Sequence, residues 1–317
     1  MRRREDGNDF VISLGLEPQL RFENKTSDGN EMKQEIIIVN PKDFEKVKKK
    51  ISEEGVENFH VLSDFDKTLT TLFLPSGERV NSLISILRNG NYLDEDYVKR
   101  AKELYSIYHP IEVDPNVNIV EKKKKMYEWW DKHFILLGKK GLDLDLLKKC
   151  ADDIINNDLL ILRAEVDYFV NFLDKKNIPL LIISASIGDL IKEYLKKKGL
   201  LTEDIFVISN ELEYNSKGKF SGVKSIVHVL NKDESSVKNF PKVYEKVKNR
   251  KNILLLGDGV GDVDMIRGFE YNNLIKIGFY NDKGEGSLEQ FKENFDVVLT
   301  GDQDFNFINN LVKEMFK

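Results

Sequence analysis

Along the chain the apolar positions fall into two regimes. In the first, short unbroken apolar runs are closed by polar residues. The run at 59–62 ends in Ser63, and five more lie at 178–185 (IPLLIISA), 204–210 (DIFVISN), 252–258 (NILLLGD), 274–279 (LIKIGF) and 296–301 (DVVLTG). Runs of this length without alternation predict strands covered on both faces. Helix-like stretches lie between them: EVDYFVNFLDKKN, DLIKEYLKKKG and VYEKVKNRK. Strands alternating with helices predict an α/β fold with a doubly wound parallel sheet. In the second regime, between residues 80 and 163, the apolar positions recur at helical spacing and no convincing strand is present. This segment reads as an all-helical cap inserted after the first strand. A helix is predicted over 41–55, with Pro41 at its start and Gly55 at its end.

These patterns divide the chain into a poorly ordered N-terminal extension (1–30), a catalytic α/β core (31–80 and 164–317) and a helical cap (81–163). Of the 317 residues, 41% are hydrophobic, enough for a large core. With 49 basic against 54 acidic residues the net charge is −5, and no basic stripe marks a nucleic-acid surface. The lysine runs at 48–50, 122–125 and 196–198 read as solvated helix faces. A single cysteine, Cys150, excludes an intrachain disulfide and suits a reducing compartment. No apolar stretch reaches membrane-spanning length, and the N-terminus lacks the apolar region of a signal peptide. The expected location is the cytoplasm.

The candidate chemistry lies where the apolar runs end. In FHVLSDFDKTLTT the first strand closes on Asp64 and Asp66; IISAS ends the second with Ser184; GDGVGD ends the fourth with Asp258 and Asp262. Ligands of open α/β sheets bind beyond the carboxyl ends of the strands, so these clusters, distant in sequence, should converge. Carboxylates held close repel unless a positive charge sits among them. An all-oxygen set suits a hard cation, and magnesium is the expected one. A calcium loop starting at Asp64 fails, because Leu69 and Pro75 stand where glycine and glutamate belong. A dinucleotide loop over GDGVGD fails at Asp262, which replaces the third glycine, and no Walker lysine motif occurs.

DFDKTLT resembles the first motif of the haloacid-dehalogenase-like (HAD) phosphatases, IISAS the second and GDGVGD the fourth; Lys232 in HVLNKDE best matches the third-motif lysine, with Lys217, Lys219 and Lys224 as rivals. IEVDP, YEWWDKH, ASIGDLI and HVLNK resemble the cytosolic pyrimidine 5′-nucleotidases of type III, from about residue 35 onward. This resemblance implies a magnesium-dependent hydrolase of nucleoside 5′-monophosphates with a HAD-like core. Asp64 would be the nucleophile and Asp66 the general acid/base. Ser184 and the Ala185 main chain would hold phosphate, and Lys232 would neutralise the moving phosphoryl group. Asp64, Asp258 and the Asp66 carbonyl would hold the metal, with Asp262 behind them. In the cap, Glu112 would contact the base and Trp130 would stack on it. A tryptophan there is similar to the subgroup that accepts 7-methylguanosine monophosphate. Ser186 departs from the family's usual glycine. The partner expected is the nucleotide alone, on a monomer. Another phosphomonoester, a phosphotransfer reaction and a non-enzymatic binding protein on the same fold are the competing readings.

Overall fold

The computed structural model describes residues 5–6, 9–13, 33–282 and 286–317. Its main sheet has nine strands, in the order β1-β2-β3-β11-β10-β9-β4-β5-β6. Six are parallel: β4 (Phe59–Ser63), β5 (Leu180–Ile187), β6 (Ile205–Asn210), β9 (Asn252–Gly257), β10 (Asn273–Tyr280) and β11 (Val297–Thr300). All six predicted strands are present, within two residues at each end.

These strands are buried on both faces because alternate side chains enter different layers. On β9, Leu254 and Leu256 join one apolar cluster, while Ile253 and Leu255 join the other. On β4, Phe59 and Val61 face the first and Leu62 the second. Each fully buried side chain of this kind contributes about 1.5–3 kcal/mol. The first layer includes α1 (Pro41–Glu54), α6 (Val166–Lys175), α7 (Gly188–Lys197) and α11 (Asn306–Met315); the second includes α9 (Pro241–Val247) and α10 (Leu288–Asn294).

The sheet extends past β11 through antiparallel pairing. There β3 (Glu35–Ile38) adds to β11, β2 (Asp9–Ser13) to β3, and β1 (Glu5–Asp6) to β2. Of the segment 1–30, expected to be a poorly ordered extension, residues 5–6 and 9–13 form β1 and β2, and the rest lies outside the described residues. Three apolar residues in DFVIS are too few to set a period, and an edge strand needs only backbone partners.

Between β4 and α6 lie four helices: α2 (Leu83–Asn89), α3 (Glu95–Val113), α4 (Ile119–Lys139) and α5 (Leu144–Asn156). Asp94, Asn118 and Asp143 cap the last three through their side chains. After β6 a hairpin, β7 (Leu212–Tyr214) with β8 (Phe220–Val223), rises against them. Phe220 N donates to Leu142 O at 3.0 Å, and a Cβ on Gly138 would come 2.8 Å from the Phe220 ring. The corner between α4 and α5 is thus fastened to the core by main-chain bonds and by a missing side chain. Among the described residues no helix is long and apolar enough to cross a membrane.

Candidate active site

The order of strands reverses at β4, which lies between β9 on one side and β5 on the other. The register aligns Ser63 with Leu256 and with Ile182. Asp64 therefore lies one residue beyond that level, and Asp258 and Ser184 lie two beyond it. Three sequence-predicted positions come together because the parallel register makes their strand ends coincide.

Asp64, Asp258 and Asp262 offer carboxylate oxygens within 4.8 Å of one another, all three side chains buried. Lys232 reaches in from the segment after the hairpin. Its Nζ is 2.6 Å from Asp64 Oδ1 and 3.3 Å from Asp262 Oδ1. Burial alone would depress this ammonium, but the carboxylates of Asp64 and Asp262 outweigh it and hold the lysine above its ordinary pKa. Burial raises Asp64, with Lys232 opposing and the Asp262 charge adding to the rise. Of the rival lysines, Lys219 and Lys224 pair with Asp143 and Glu211 on exposed surfaces, and Lys217 is exposed on the hairpin turn.

Asp262 is committed twice. Its Oδ1 accepts from Lys232, and its Oδ2 accepts from Asp258 N at 3.1 Å and Gly259 N at 3.0 Å. It thereby shapes the turn that presents Asp258. Gly257 makes this possible: a Cβ there would lie 2.5 Å from Asp262 Cβ. Thr68 Oγ1 donates to Asp258 Oδ1 at 3.3 Å. Three carboxylates against one ammonium leave two negative charges in a buried space. With no thiolate or imidazole in the set, the donors fit a hard divalent cation.

Asp66 stands apart from this group. Its Oδ1 accepts from Leu83 N at 2.8 Å, at the first residue of α2. Burial pushes its carboxyl up to about 6, with the Leu83 N–H pulling the other way. Ser184 is buried, and its Oγ accepts from Ser186 N at 3.1 Å, tightening the loop that carries Ala185.

Two residues that the sequence reading passed over organise the site. Arg163, fully buried, uses its guanidinium on five acceptors: Thr68 O, Lys67 O, Gln303 O, Asp302 Oδ1 and Asn281 Oδ1. Its cation also lies 4.2 Å from the centre of the Phe279 ring. Asp302 continues the clamp by accepting from Leu72 N and Phe73 N at 2.9 and 3.0 Å. The loop following Asp64 and Asp66 is therefore held at four main-chain points, Lys67 O, Thr68 O, Leu72 N and Phe73 N. Lys67 takes a left-handed backbone there, φ 61°, and Arg163 and Asn281 both hold its carbonyl. Asn210, at the end of β6, donates to Ala185 O, Ser186 O and Val227 O and accepts from Val227 N. It ties the Ser184 loop to the segment leading to Lys232.

The cap residues form a separate cluster of rings. Glu112, near the end of α3, has Oε2 3.1 Å from His109 Nδ1. His109 stacks on Tyr105 at 4.5 Å between centroids. Both tryptophans are half-buried. Trp129 stacks on Tyr108 at 5.9 Å, inside the cap. Trp130 stacks on Phe134 at 5.5 Å and stands 5.8 Å from the His133 ring. Trp130, Phe134 and Gly138 follow one another at i,i+4 along α4, and Gly138 meets Phe220 of β8. Trp130 is the one of the pair packed against the buried core.

The family model of the pyrimidine 5′-nucleotidases (UMPH-1) matches residues 67–316. A 7-methylguanosine phosphate-specific 5′-nucleotidase A from Xenopus laevis is 35% identical over 266 residues, covering 83% of this chain and 90% of that one. The 7-methylguanosine phosphate-specific 5′-nucleotidase of Homo sapiens is 32% identical over 286 residues, covering 90% and 93%. Among solved structures, cytosolic 5′-nucleotidase IIIB bound to cytidine superposes with a TM-score of 0.80 at 28% identity, over 88% of this chain and 94% of that one. A HAD family hydrolase from Salmonella enterica shares the fold at a TM-score of 0.51 and 15% identity, over 83% of this chain and 74% of the other.

Proposed function

This chain belongs to the pyrimidine 5′-nucleotidase family, with a HAD-like fold, and from that premise we propose how its own residues carry the hydrolysis of a nucleoside 5′-monophosphate. The observation that supports the reading most is the buried group of Asp64, Asp258 and Asp262 with a single ammonium, Lys232, 2.6 Å from Asp64. Magnesium is the divalent ion we assign, held by Asp64, Asp258 and the Asp66 carbonyl; when bound it supplies positive charge to the phosphate oxygens.

In our reading an Asp64 carboxylate oxygen attacks phosphorus, forming an aspartyl-phosphate while the bond to the ribose 5′-oxygen breaks. Asp66 gives its proton to that leaving oxygen. A carboxyl pushed up to about 6 can hold a proton and also release it near neutral pH. Asp66 then takes a proton from water, which attacks the aspartyl-phosphate and returns Asp64 with release of inorganic phosphate. Lys232 and Ser184, with the Ala185 N–H, hold the phosphate oxygens through both steps. Asp262 holds Lys232 and the Asp258 turn in place. Glu112 and Trp130 take the base, by accepting from its N–H groups and by stacking. The cytosolic location in the name of the cytidine-bound neighbour is extended to this chain on the same footing.

The test is phosphate release from UMP, CMP, AMP, GMP, 7-methyl-GMP and ribose 5-phosphate, with and without magnesium, beside Asp64→Asn. We expect magnesium-dependent release from nucleotides that drops about a thousandfold or more in the variant. Release that survives in Asp64→Asn removes Asp64 as nucleophile. Ribose 5-phosphate turned over as fast as every nucleotide would sink the role given to the cap.

A further inference from the structure

Two buried arginines in this molecule are in opposite conditions. Arg163 has an acceptor for each N–H. Arg88, in the last turn of α2, keeps 8% of its surface open and, among the described residues, makes no hydrogen bond and no ion pair. What it does have is a ring: its guanidinium carbon stands 5.5 Å from the centre of Tyr105. A cation over a tyrosine face recovers roughly 0.5–2 kcal/mol, less than the several kcal/mol that a buried charge loses with its water. Its nitrogens are not sealed from solvent, so its five N–H donors stay open to a ligand.

The surroundings indicate what is missing. Tyr105, under Arg88, stacks on His109, and His109 holds only one oxygen of Glu112. The other oxygen, Oε1, accepts no hydrogen bond among the described residues. The Arg88 charge reaches Tyr97, Tyr105 and Glu112, and helps keep His133 neutral. His133 in turn touches Trp130. Around one set of rings there is therefore a donor without an acceptor, an acceptor with capacity to spare, and a half-buried indole. A flat ligand carrying N–H groups on one part of its edge and a carbonyl on another meets all three demands.

We propose that Arg88 is a specificity-determining residue: it donates to a ring carbonyl of a neutral nucleobase whose N–H is read by Glu112, and it disfavours the cationic 7-methylguanine base. This rests on the nucleotide-hydrolase reading above. A site with Glu112 and Trp130 alone favours a positive base, since a carboxylate and an indole face both attract cations. A guanidinium in the same low-dielectric cluster opposes that attraction with a like charge. The chain thus departs in base choice from the 7-methylguanosine phosphate-specific relatives it resembles.

GMP and 7-methyl-GMP differ by one methyl group and one charge, which makes them the sharpest pair. At a pH that keeps the methylated base cationic, kcat/KM for GMP and UMP should exceed that for 7-methyl-GMP by at least about tenfold. Arg88→Met should move the GMP to 7-methyl-GMP ratio toward the methylated nucleotide by about tenfold or more, mainly through KM. Arg88→Lys, which keeps the charge and loses the fork, should fall between. A parent enzyme that prefers 7-methyl-GMP, or a ratio that Arg88→Met leaves unmoved, overturns the proposal. If Arg88→Met does not fold, the parent ratio and Arg88→Lys decide the matter. Calorimetric dissociation constants for guanosine and 7-methylguanosine measure the same selection without catalysis. A nucleoside ratio that holds while no nucleotide is hydrolysed sustains the base selection and sinks the reaction; hydrolysis blind to the base does the reverse.

Discussion

The floor of the site and its cap are built on different terms. Around Asp64 the polar side chains are densely hydrogen-bonded: Asp262 accepts three hydrogen bonds, Asn210 joins two loops and Arg163 joins three chain segments. In the cap, rings lean on rings, Arg88 has no acceptor, and apolar side chains such as Val113 and Val120 remain exposed at 61% and 73%. Phosphoryl chemistry needs charges held in one geometry before the substrate arrives, whereas a base can be gripped by planar surfaces that tolerate small shifts. On our proposed reading the reaction belongs to the hydrogen-bonded floor and the choice of substrate to the ring-lined cap.

The two arginines break or sharpen that contrast most strongly. Arg163→Met should lower unfolding free energy by about 3–5 kcal/mol, because Asp302 and four other acceptors lose their cation. Arg88→Met should stay within about 1 kcal/mol of the parent, since no partner is stranded. Urea unfolding of both variants measures the pair, and equal losses would abolish the distinction. Next in size, Lys232→Met should slow phosphate release by about a hundredfold or more, as expected for a charge aimed at the transferring group, and should also lower stability, since Asp64 and Asp262 lose their cation.

Acid should weaken both regions. His60 on the core strand β4 and His133 in the cap are each lowered to about 3, chiefly by burial. An unfolded chain takes up these protons below about 6.5 while the folded one refuses them, so stability falls as pH drops from about 6.5 toward 3. At pH 5 each histidine should account for about 2 kcal/mol, readable as a steeper loss of unfolding free energy in the parent than in His60→Leu or His133→Phe. The smallest effect belongs to Trp130→Leu: KM for the preferred nucleotide should rise about tenfold with kcat nearly kept. A fall in kcat as large as the change in KM would place Trp130 with the chemistry rather than with the base.

The parallel strands were legible because burial on both faces writes itself as a local run, IPLLIISA or NILLLG, that no helix of that length would need. The aspartates were legible for the same reason, as polar residues that end such runs. The run EIII in β3 carried the same signal but sat beside a polar stretch and was passed over. The hairpin announced itself only by Asn215 and Gly218 at its turn. Arg163 ends ILR as many surface arginines end an apolar pair, and its acceptors lie 95 to 140 positions from it. Arg88 looked like any charge in a cap helix, because having no partner leaves no trace in sequence.

The Arg163 clamp also has a history written into it. Asp64 and Lys67 emerge early in synthesis, Arg163 midway, Asn281 and Asp302 near the end. A nascent chain can align β4 with β5 well before its last strand exists, but Arg163 then lacks Asp302 and the loop after Asp64 lacks that anchor. Asp64 and Asp66 are thus made first and their loop is anchored last. A chain cut short before residue 302 would keep Asp64, Asp258, Asp262 and Lys232 and still lack the Arg163–Asp302 pair that holds the loop after Asp64.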